Sequence, residues 1–160
     1  MTIQFLQNLP AEIVTMIIAA LPIAEIRVSI PLAIEGYKMS VVSAIFWSIL
    51  GNLLVALILI LVIGPISKFL SEKFDFFRRI FDWLFERTRK KFYNKHEKYG
   101  DLALVLFVGV PLPTTGVWTG AVAAWLFGVK PKKAFALISL GVSISATIVT
   151  LITLGIFKII

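Results

Sequence analysis

Residues 102–128 read LALVLFVGVPLPTTGVWTGAVAAWLFG. The stretch has no charged residue, and its centre, residues 110–116, holds two prolines, two threonines and a glycine. Prolines interrupt a helix because they remove a backbone donor and clash with the preceding turn. Each arm then has about ten residues, or about 15 Å of helix, which is half of the hydrocarbon core of a bilayer. The pattern predicts a re-entrant helical hairpin, and the alternative is a kinked transmembrane helix.

The rest of the chain has the composition of a membrane protein. Of its 160 residues 59% are hydrophobic, and the mean hydropathy is +0.94, whereas soluble domains have about 45–50% apolar residues. Three further windows are almost free of charge, namely 13–34, 40–64 and 134–157. About 20 apolar residues suffice to cross a bilayer as a helix. We therefore expect an all-α, multi-pass protein with one membrane domain over 1–160 and transmembrane helices at 40–64 and 134–157.

The charges predict the topology. Residues 66–101 contain ten Lys or Arg and six Asp or Glu, and residues 130–133 add three Lys. The positive-inside rule places both segments in the cytoplasm, which requires that 102–128 returns to the side it left. The net charge of +7 is then explained by topology and anionic lipids, with no nucleic acid as partner. No cleavable signal peptide is expected, since no Lys or Arg precedes the first apolar run.

The segment 11–36 has the same design and is predicted to be the other re-entrant hairpin. Its centre, residues 21–31, reads LPIAEIRVSIP. Ser29 is expected to cap a second half-helix beginning at Ile30, since proline is welcome in a first turn. Thr114 or Thr115 is expected to cap the corresponding half-helix near Gly116. Irregular backbone at membrane depth persists only where protein or water covers it, so the two breaks should face each other or a cavity.

The chain reads as two copies of one unit, each a broken hairpin followed by an uninterrupted span. An offset of 90 residues pairs Ala44 with Ala134 and Gly51 with Gly141. Because a hairpin plus one span inverts the second copy, we expect inverted-topology repeats of the kind found in secondary transporters. Between the copies, residues 66–98 have apolar and aromatic residues at three- and four-residue steps, which predicts an amphipathic helix. Such a helix lies in the membrane interface or covers the cytoplasmic side of the bundle.

Two ionisable residues, Glu25 and Arg27, lie inside the four windows. Charges at such depth cost at least ~2.5–3.5 kcal/mol each, so a functional role is the default. A desolvated glutamate can take up and carry a proton, and the arginine fork suits phosphate or carboxylate. The alternative is a buried pair that only fixes the hairpin. Asn52 lies in the middle of the span at 40–64, where it either forms a structural hydrogen bond or contacts substrate.

The sequence offers no catalytic site, and we expect neither an enzyme nor a cofactor or metal. The single histidine, His96, lies in the charged linker. The chain lacks metal-ligand spacing and a glycine-rich phosphate loop, and the absence of cysteine excludes disulfides and thiol nucleophiles. The hydroxyl residues of 139–153 have no base beside them, and close helix packing explains them better.

Two strings carry a resemblance to a known family. Residues 21–32, LPIAEIRVSIPL, and residues 110–121, VPLPTTGVWTGA, resemble motifs of the prokaryotic small multidrug export protein family, over nearly the whole chain. That family is similar to the DedA/VTT superfamily of lipid transporters and scramblases, in which two re-entrant hairpins face each other and need acidic and basic residues. The resemblance implies a homodimeric transporter in the cell membrane of a prokaryote. One departure is that DedA proteins carry arginines in the second hairpin, whereas 111–120 has no charge here.

Residues and resemblance together predict a transporter of an amphipathic, anionic substrate of the lipid-phosphate type, with membrane lipids and protons as partners. Glu25 is expected to couple to protons or to gate, and Arg27 is expected to hold the anion together with the half-helix N-termini. One alternative is an exporter of organic cations that bind Glu25, and another is a membrane scaffold acting through 66–98. The residues expected to bind substrate or ion are Glu25, Arg27, Ser29, Pro31, Asn52, Pro111, Pro113, Thr114, Thr115, Gly116, Trp118 and Thr119.

Overall fold

The computed structural model describes residues 9–92, 96–112 and 115–157. All regular structure within these ranges is helical and none is strand, which confirms the all-α prediction for this part of the chain. A π-helical turn, Leu32–Gly36, continues the second helix. The α-helices are α1 (Ala11–Ala20), α2 (Glu25–Pro31), α3 (Val41–Lys73), α4 (Asp75–Phe92), α5 (His96–Gly109), α6 (Val117–Leu126) and α7 (Pro131–Phe157).

The helices α3 and α7 are long and apolar enough to cross a membrane. Ser40 caps α3, because its hydroxyl accepts a hydrogen bond from the backbone N–H of Ser43 at 3.2 Å. The helix passes Pro65 and ends at Lys73, beyond the predicted end at 64, since one proline removes a single backbone bond and good helix formers follow it. Phe74 has extended backbone and separates α3 from α4. The predicted helix over 66–98 is therefore divided among the end of α3, the whole of α4 and the first residues of α5.

Two breaks interrupt the helices of the apolar windows, close to the prolines from which the breaks were predicted. The first break, residues 21–24, separates α1 from α2, and the second break, of which residues 110–112 and 115–116 are described, separates α5 from α6. The helix α2 begins at Glu25, so the predicted cap at Ser29 is wrong. The backbone N–H of Glu25 already bonds the carbonyl of Leu21 at 3.1 Å, and this turn starts the helix five residues before the predicted start at Ile30. Ser29 lies fully buried inside α2.

Each break has a helix before it and a helix after it, which we call its first and second arm. These arms pack on the two long helices, α3 and α7, in an exchanged pattern. The first arms, α1 and α5, pack on α3 and α7 respectively. The second arms cross over, so that α2 contacts α7 and α6 contacts α3. The main core lies where these elements meet, and α3 and α7 also contact each other. Its fully buried side chains include Ile30, Ala44, Val117, Ile138 and Val142.

Two glycines let the first arms approach the long helices closely. A Cβ atom on Gly51 of α3 would overlap the backbone oxygen of Met16 on α1. A Cβ atom on Gly141 of α7 would lie 2.6 Å from the Cβ of Val108 and 2.8 Å from the carbonyl oxygen of Val105, both on α5. A side chain at either position would push the arm away. These are the two glycines that the 90-residue offset pairs.

In each pair of interrupted helices, α1 with α2 and α5 with α6, the first helix contacts the segment that follows the pair. Lys133, in the first turn of α7, forms an ion pair of 2.6 Å with Asp101 on α5. The hydroxyl of Thr15 on α1 donates to the sulfur of Met39, 3.5 Å away, in the loop after the π-helical turn.

The helix α4 has one packed and one exposed apolar face. Phe81 meets Trp125 of α6 edge to face, with ring centroids 5.6 Å apart, and α4 also contacts α3. Phe76, Ile80 and Trp83 are exposed. The packed face is what a covering helix needs, and the exposed apolar face is what an interfacial helix needs, so both predicted roles fit one element.

Candidate functional site

Three hydrogen bonds join residues that flank the first break to the second break and to the start of α6. The Nη1 of Arg27 donates to the carbonyl oxygen of Leu112, and its Nη2 donates to the carbonyl oxygen of Thr115 at 3.1 Å. In the other direction, the indole Nε1 of Trp118 donates to the carbonyl oxygen of Ala20 at 3.2 Å. The carbonyls of Leu112 and Thr115 lie outside regular helix and that of Ala20 lies in the last turn of α1, so all three need partners from elsewhere. The prediction that the breaks face each other is confirmed.

Glu25 is buried, with 6% of its surface exposed, and its carboxylate lies at the N-terminus of α6. The backbone N–H groups of Val117 and Trp118 lie close to it and favour its charge, and its Oε2 is 3.4 Å from the Nη2 of Arg27. The first N–H groups of a helix have no partners within the helix and form the positive end of its dipole. Glu25, which follows the first break, thus caps α6, the helix that follows the second break.

Gly116 provides the space for this carboxylate. Its φ is +141°, in a region that side chains rarely adopt, and a Cβ atom there would overlap the carboxylate of Glu25. Glu25 itself has a φ of +47°, and such a conformation costs a non-glycine residue about 1–3 kcal/mol unless its surroundings hold it. The unusual backbone conformations of Glu25 and Gly116 therefore serve the same contact, in which the carboxylate of Glu25 meets the start of α6.

The hydroxyl of Thr115 closes the second break instead of capping α6. It donates to the carbonyl oxygen of Val110 at 2.6 Å and accepts from the backbone N–H of Leu112 at 3.1 Å. Gly116 is the N-cap residue, and no side chain caps the helix from that position, so the predicted cap at Thr115 is wrong. Pro113 and the other proposed cap, Thr114, lie outside the described residues.

The remaining candidates lie near this centre or away from it. Ser29 donates to the hydroxyl of Ser48 on α3 at 2.8 Å. Asn52, one helical turn beyond Ser48, is buried, and its Nδ2 has no hydrogen-bond partner in the described ranges. The hydroxyl of Thr119 donates to the carbonyl oxygen of Gly116 at 3.4 Å. Pro31 is the last residue of α2, and Pro111 lies in the second break.

The structure thus brings Glu25, Arg27, Thr115, Gly116 and Trp118 together. Sequence reasoning missed Ser48, and its signal was present, because Ser48 and Asn52 are polar residues four apart in the apolar stretch 44–66 of α3. It also missed the carbonyl groups of Ala20 and Leu112, which no sequence pattern marks. In the part of the chain that the structure describes, no three His, Cys, Asp or Glu side chains form a group that could hold a metal ion.

The site is arranged around one negative charge. The guanidinium of Arg27 and the N-terminus of α6 supply the positive potential, and the carboxylate of Glu25 occupies it. When Glu25 takes up a proton, the same donors can bind another anion, since a guanidinium fork and a helix N-terminus both suit phosphate or carboxylate. The side chain of Arg27 is 18% exposed, so an anion can reach it.

Comparison with known proteins gives one match. The family described as "Putative small multi-drug export protein" matches residues 25–148, a range that begins directly after the first break and includes the helices α2 to α6, the second break and most of α7. No curated protein and no solved structure matches the chain.

Proposed function

We propose a transport mechanism from one premise: this chain belongs to the small multi-drug export protein family. The description of the family as export proteins and the two long apolar helices of this chain indicate a membrane protein. The substrate that we propose is an amphipathic anion of the lipid-phosphate type, which crosses the membrane when Glu25 is protonated.

The observation that carries the proposal is the carboxylate of Glu25 between Arg27 and the N-terminus of α6. An ionised Glu25 fills the positive site and excludes other anions. A protonated Glu25 leaves Arg27 and the N–H groups of Val117 and Trp118 without a counter-charge, so that a phosphate group of the substrate is attracted in its place. Release of the proton then drives the phosphate out, because two anions cannot share the site. Substrate and proton are therefore bound together, which couples one movement to the other.

The architecture supports alternating access through two related units. The exchanged packing of the arms and the matching close contacts at Gly51 and Gly141 are what an inverted repeat requires. The ion pair between Asp101 and Lys133 supports a re-entrant second unit, since the chain enters and leaves it at the same place. In this arrangement Arg27 supplies a positive charge to the second break, which has none of its own. The relation to the DedA superfamily and the homodimer remain predictions.

Export of organic cations is the second candidate, and the description of the family favours it. Glu25 would then be the counter-charge of the cation. The geometry is less suited to this role, because Arg27 already neutralises the carboxylate and repels a second cation. The two candidates predict opposite effects of Arg27. Removing its charge should abolish anion transport and should improve cation binding.

Purified protein in liposomes distinguishes the two candidates. The probes are a fluorescent phosphatidic acid and ethidium, each followed under an imposed pH gradient. We expect flux of the phosphatidic acid in the native protein and its loss both in Arg27→Gln and in the double variant Glu25→Gln, Arg27→Gln, which leaves no buried charge unpaired. A matched control is Ser143→Ala, because Ser143 is exposed and its hydroxyl bonds only its own helix, at Ser139. Flux of ethidium alone, increased by Arg27→Gln, would establish the second candidate and overturn the first.

A further inference from the structure

The helix α4 divides its apolar residues between two adjacent faces. Phe81 packs on Trp125 of α6, with ring centroids 5.6 Å apart. Phe76, Ile80 and Trp83 follow one another at steps of four and three residues, so they lie on one line of the helix, and all three are exposed. We call these three residues the exposed stripe. It lies beside the packed face, because consecutive residues are about 100° apart around a helix.

The charges of α4 are arranged around the exposed stripe. The helix has six Arg or Lys against three Asp or Glu. The steps of four and three residues continue beyond the stripe to three basic positions, 87, 90 and 91. The acidic residues lie about a quarter of a turn or more from the centre of the stripe, at Asp75, Asp82 and Glu86. The line of the stripe is therefore apolar at its start and basic at its end.

The end of α3 places the start of α4 at the surface of the membrane. The helix α3 has 33 residues, or about 50 Å at 1.5 Å per residue, whereas the hydrocarbon core is about 30 Å thick. It has no ionisable residue before Lys68, so its apolar part crosses the core and its last turns reach the headgroups. Phe74 alone separates it from α4. The helix α4 therefore begins at the level of the lipid headgroups.

A membrane surface matches both the apolar and the charged part of α4. A helix with aromatic residues on one face and Lys or Arg nearby lies in the plane of the interface, with its apolar face at the boundary of headgroups and acyl chains. Anionic headgroups attract basic residues that lie close to the surface. The turn after α6 adds the exposed Lys130 and Lys132, a few residues beyond the contact of Trp125 with α4. This side of the molecule thus complements a negatively charged membrane.

We propose that α4 lies in the membrane interface with the exposed stripe inserted between lipids, and that anionic headgroups bind its basic end. The packed face holds the helix against the bundle at the same time, so bundle and bilayer contact adjacent faces of one element. Lipid, rather than a second copy of the chain or a separate protein, covers the exposed stripe. The proposal depends neither on the transported substrate nor on Glu25.

An environment-sensitive dye on single cysteines tests this position. The chain has no cysteine, so Ile80→Cys on the exposed stripe and Asp82→Cys beside it each provide one thiol for a nitrobenzoxadiazole dye. The labelled full chain is reconstituted into nanodiscs of phosphatidylcholine and phosphatidylglycerol. We expect the dye at residue 80 to be quenched by lipids with a nitroxide high on the acyl chain and protected from aqueous acrylamide. The dye at residue 82, the matched control, should be quenched by acrylamide instead.

The same dye at residue 80 tests the preference for anionic lipid. Nanodiscs of phosphatidylcholine alone should reduce its quenching by the nitroxide lipid. The double substitution Lys90→Gln, Lys91→Gln should do so in the mixed nanodiscs, because it weakens the attraction to phosphatidylglycerol. The control is Lys38→Gln, which removes an exposed positive charge before the other end of α3 and should leave the quenching unchanged.

Three results would overturn the proposal. Equal access of acrylamide to residues 80 and 82 would show that the exposed stripe faces water. Protection of residue 80 from acrylamide without quenching by the nitroxide lipid would show that protein covers the stripe. Quenching that changes neither with lipid charge nor in Lys90→Gln, Lys91→Gln would show that anionic headgroups do not bind the helix. Since no transported probe takes part, failure of phosphatidic acid flux would leave each of these readings as it is.

Discussion

The carboxylate of Glu25 fills the space beside Gly116 that a side chain would take at that position. This contact unites the two breaks, because Glu25 follows the first break and Gly116 ends the second. It also explains why a buried glutamate persists here. Its charge is held by Arg27 and by the N–H groups at the start of α6, so the same contact stabilises the fold and controls the charge of the site.

Gly116→Ala should therefore be among the most damaging small substitutions. The new Cβ atom would overlap the carboxylate, and a φ of +141° is strained for alanine, so we expect a loss of at least about 1–3 kcal/mol. The melting temperature in detergent measures it. Gly64→Ala is the matched control, since nothing lies within 4 Å of its Cβ position, and it should be neutral or slightly stabilising. Equal melting temperatures for the two variants would contradict the described contact.

The paired glycines of the long helices give a second prediction. Gly51→Ala and Gly141→Ala should each lower the melting temperature, because the added methyl group meets α1 or α5 and overpacking costs about 1–3 kcal/mol. Gly155→Ala, which has open space around it, is the control. A loss at one glycine and none at the other would show that the two units do not pack alike.

The sequence shows where the chain is interrupted, and the structure shows what the interruptions contact. Prolines 22, 31, 111 and 113 and the charges of Glu25 and Arg27 were enough to predict two facing breaks, because helix disruption and the cost of buried charge are local effects. The start of α2 at Glu25 was not predictable in the same way, since Ser29 has the residue type of a cap. It pairs instead with Ser48, and packing between α2 and α3 decides this. The cap of α6 likewise comes from Glu25, a residue far away in the chain.

The ion pair predicts unequal effects of neutralising its two members. Arg27→Gln should be strongly destabilising, by about 3–5 kcal/mol as in other buried pairs, because it leaves the carboxylate of Glu25 unpaired. It also removes the guanidinium donors to the carbonyl groups of Leu112 and Thr115. Glu25→Gln should cost less, since its amide oxygen still accepts from the N–H groups of α6 and Arg27 keeps two carbonyl partners. Thermal unfolding of both variants tests this order, and the reverse order would contradict the described contacts.

The topology predicts labelling from opposite sides. The chain has no cysteine, so Lys38→Cys, Lys90→Cys and Lys132→Cys each provide one thiol on a clean background. A membrane-impermeant maleimide should label residues 90 and 132 from one side and residue 38 from the other. This follows from a second unit that starts and ends together, as the Asp101–Lys133 pair supports. Labelling of residues 38 and 132 from the same side would show that the second unit crosses the membrane instead.

The central claim is that the carboxylate of Glu25 and an anionic substrate compete for Arg27 and the start of α6. Its most direct test is the initial rate of fluorescent phosphatidic acid flux in liposomes as a function of pH, for the native protein and for Glu25→Gln. Titration of the probe is common to both proteins, so the difference reports Glu25. We predict a native rate that rises as the pH falls, and a Glu25→Gln rate that lacks this additional rise. A Glu25→Gln protein, or a Glu25→Gln, Arg27→Gln double variant, with the full native pH dependence would contradict the account.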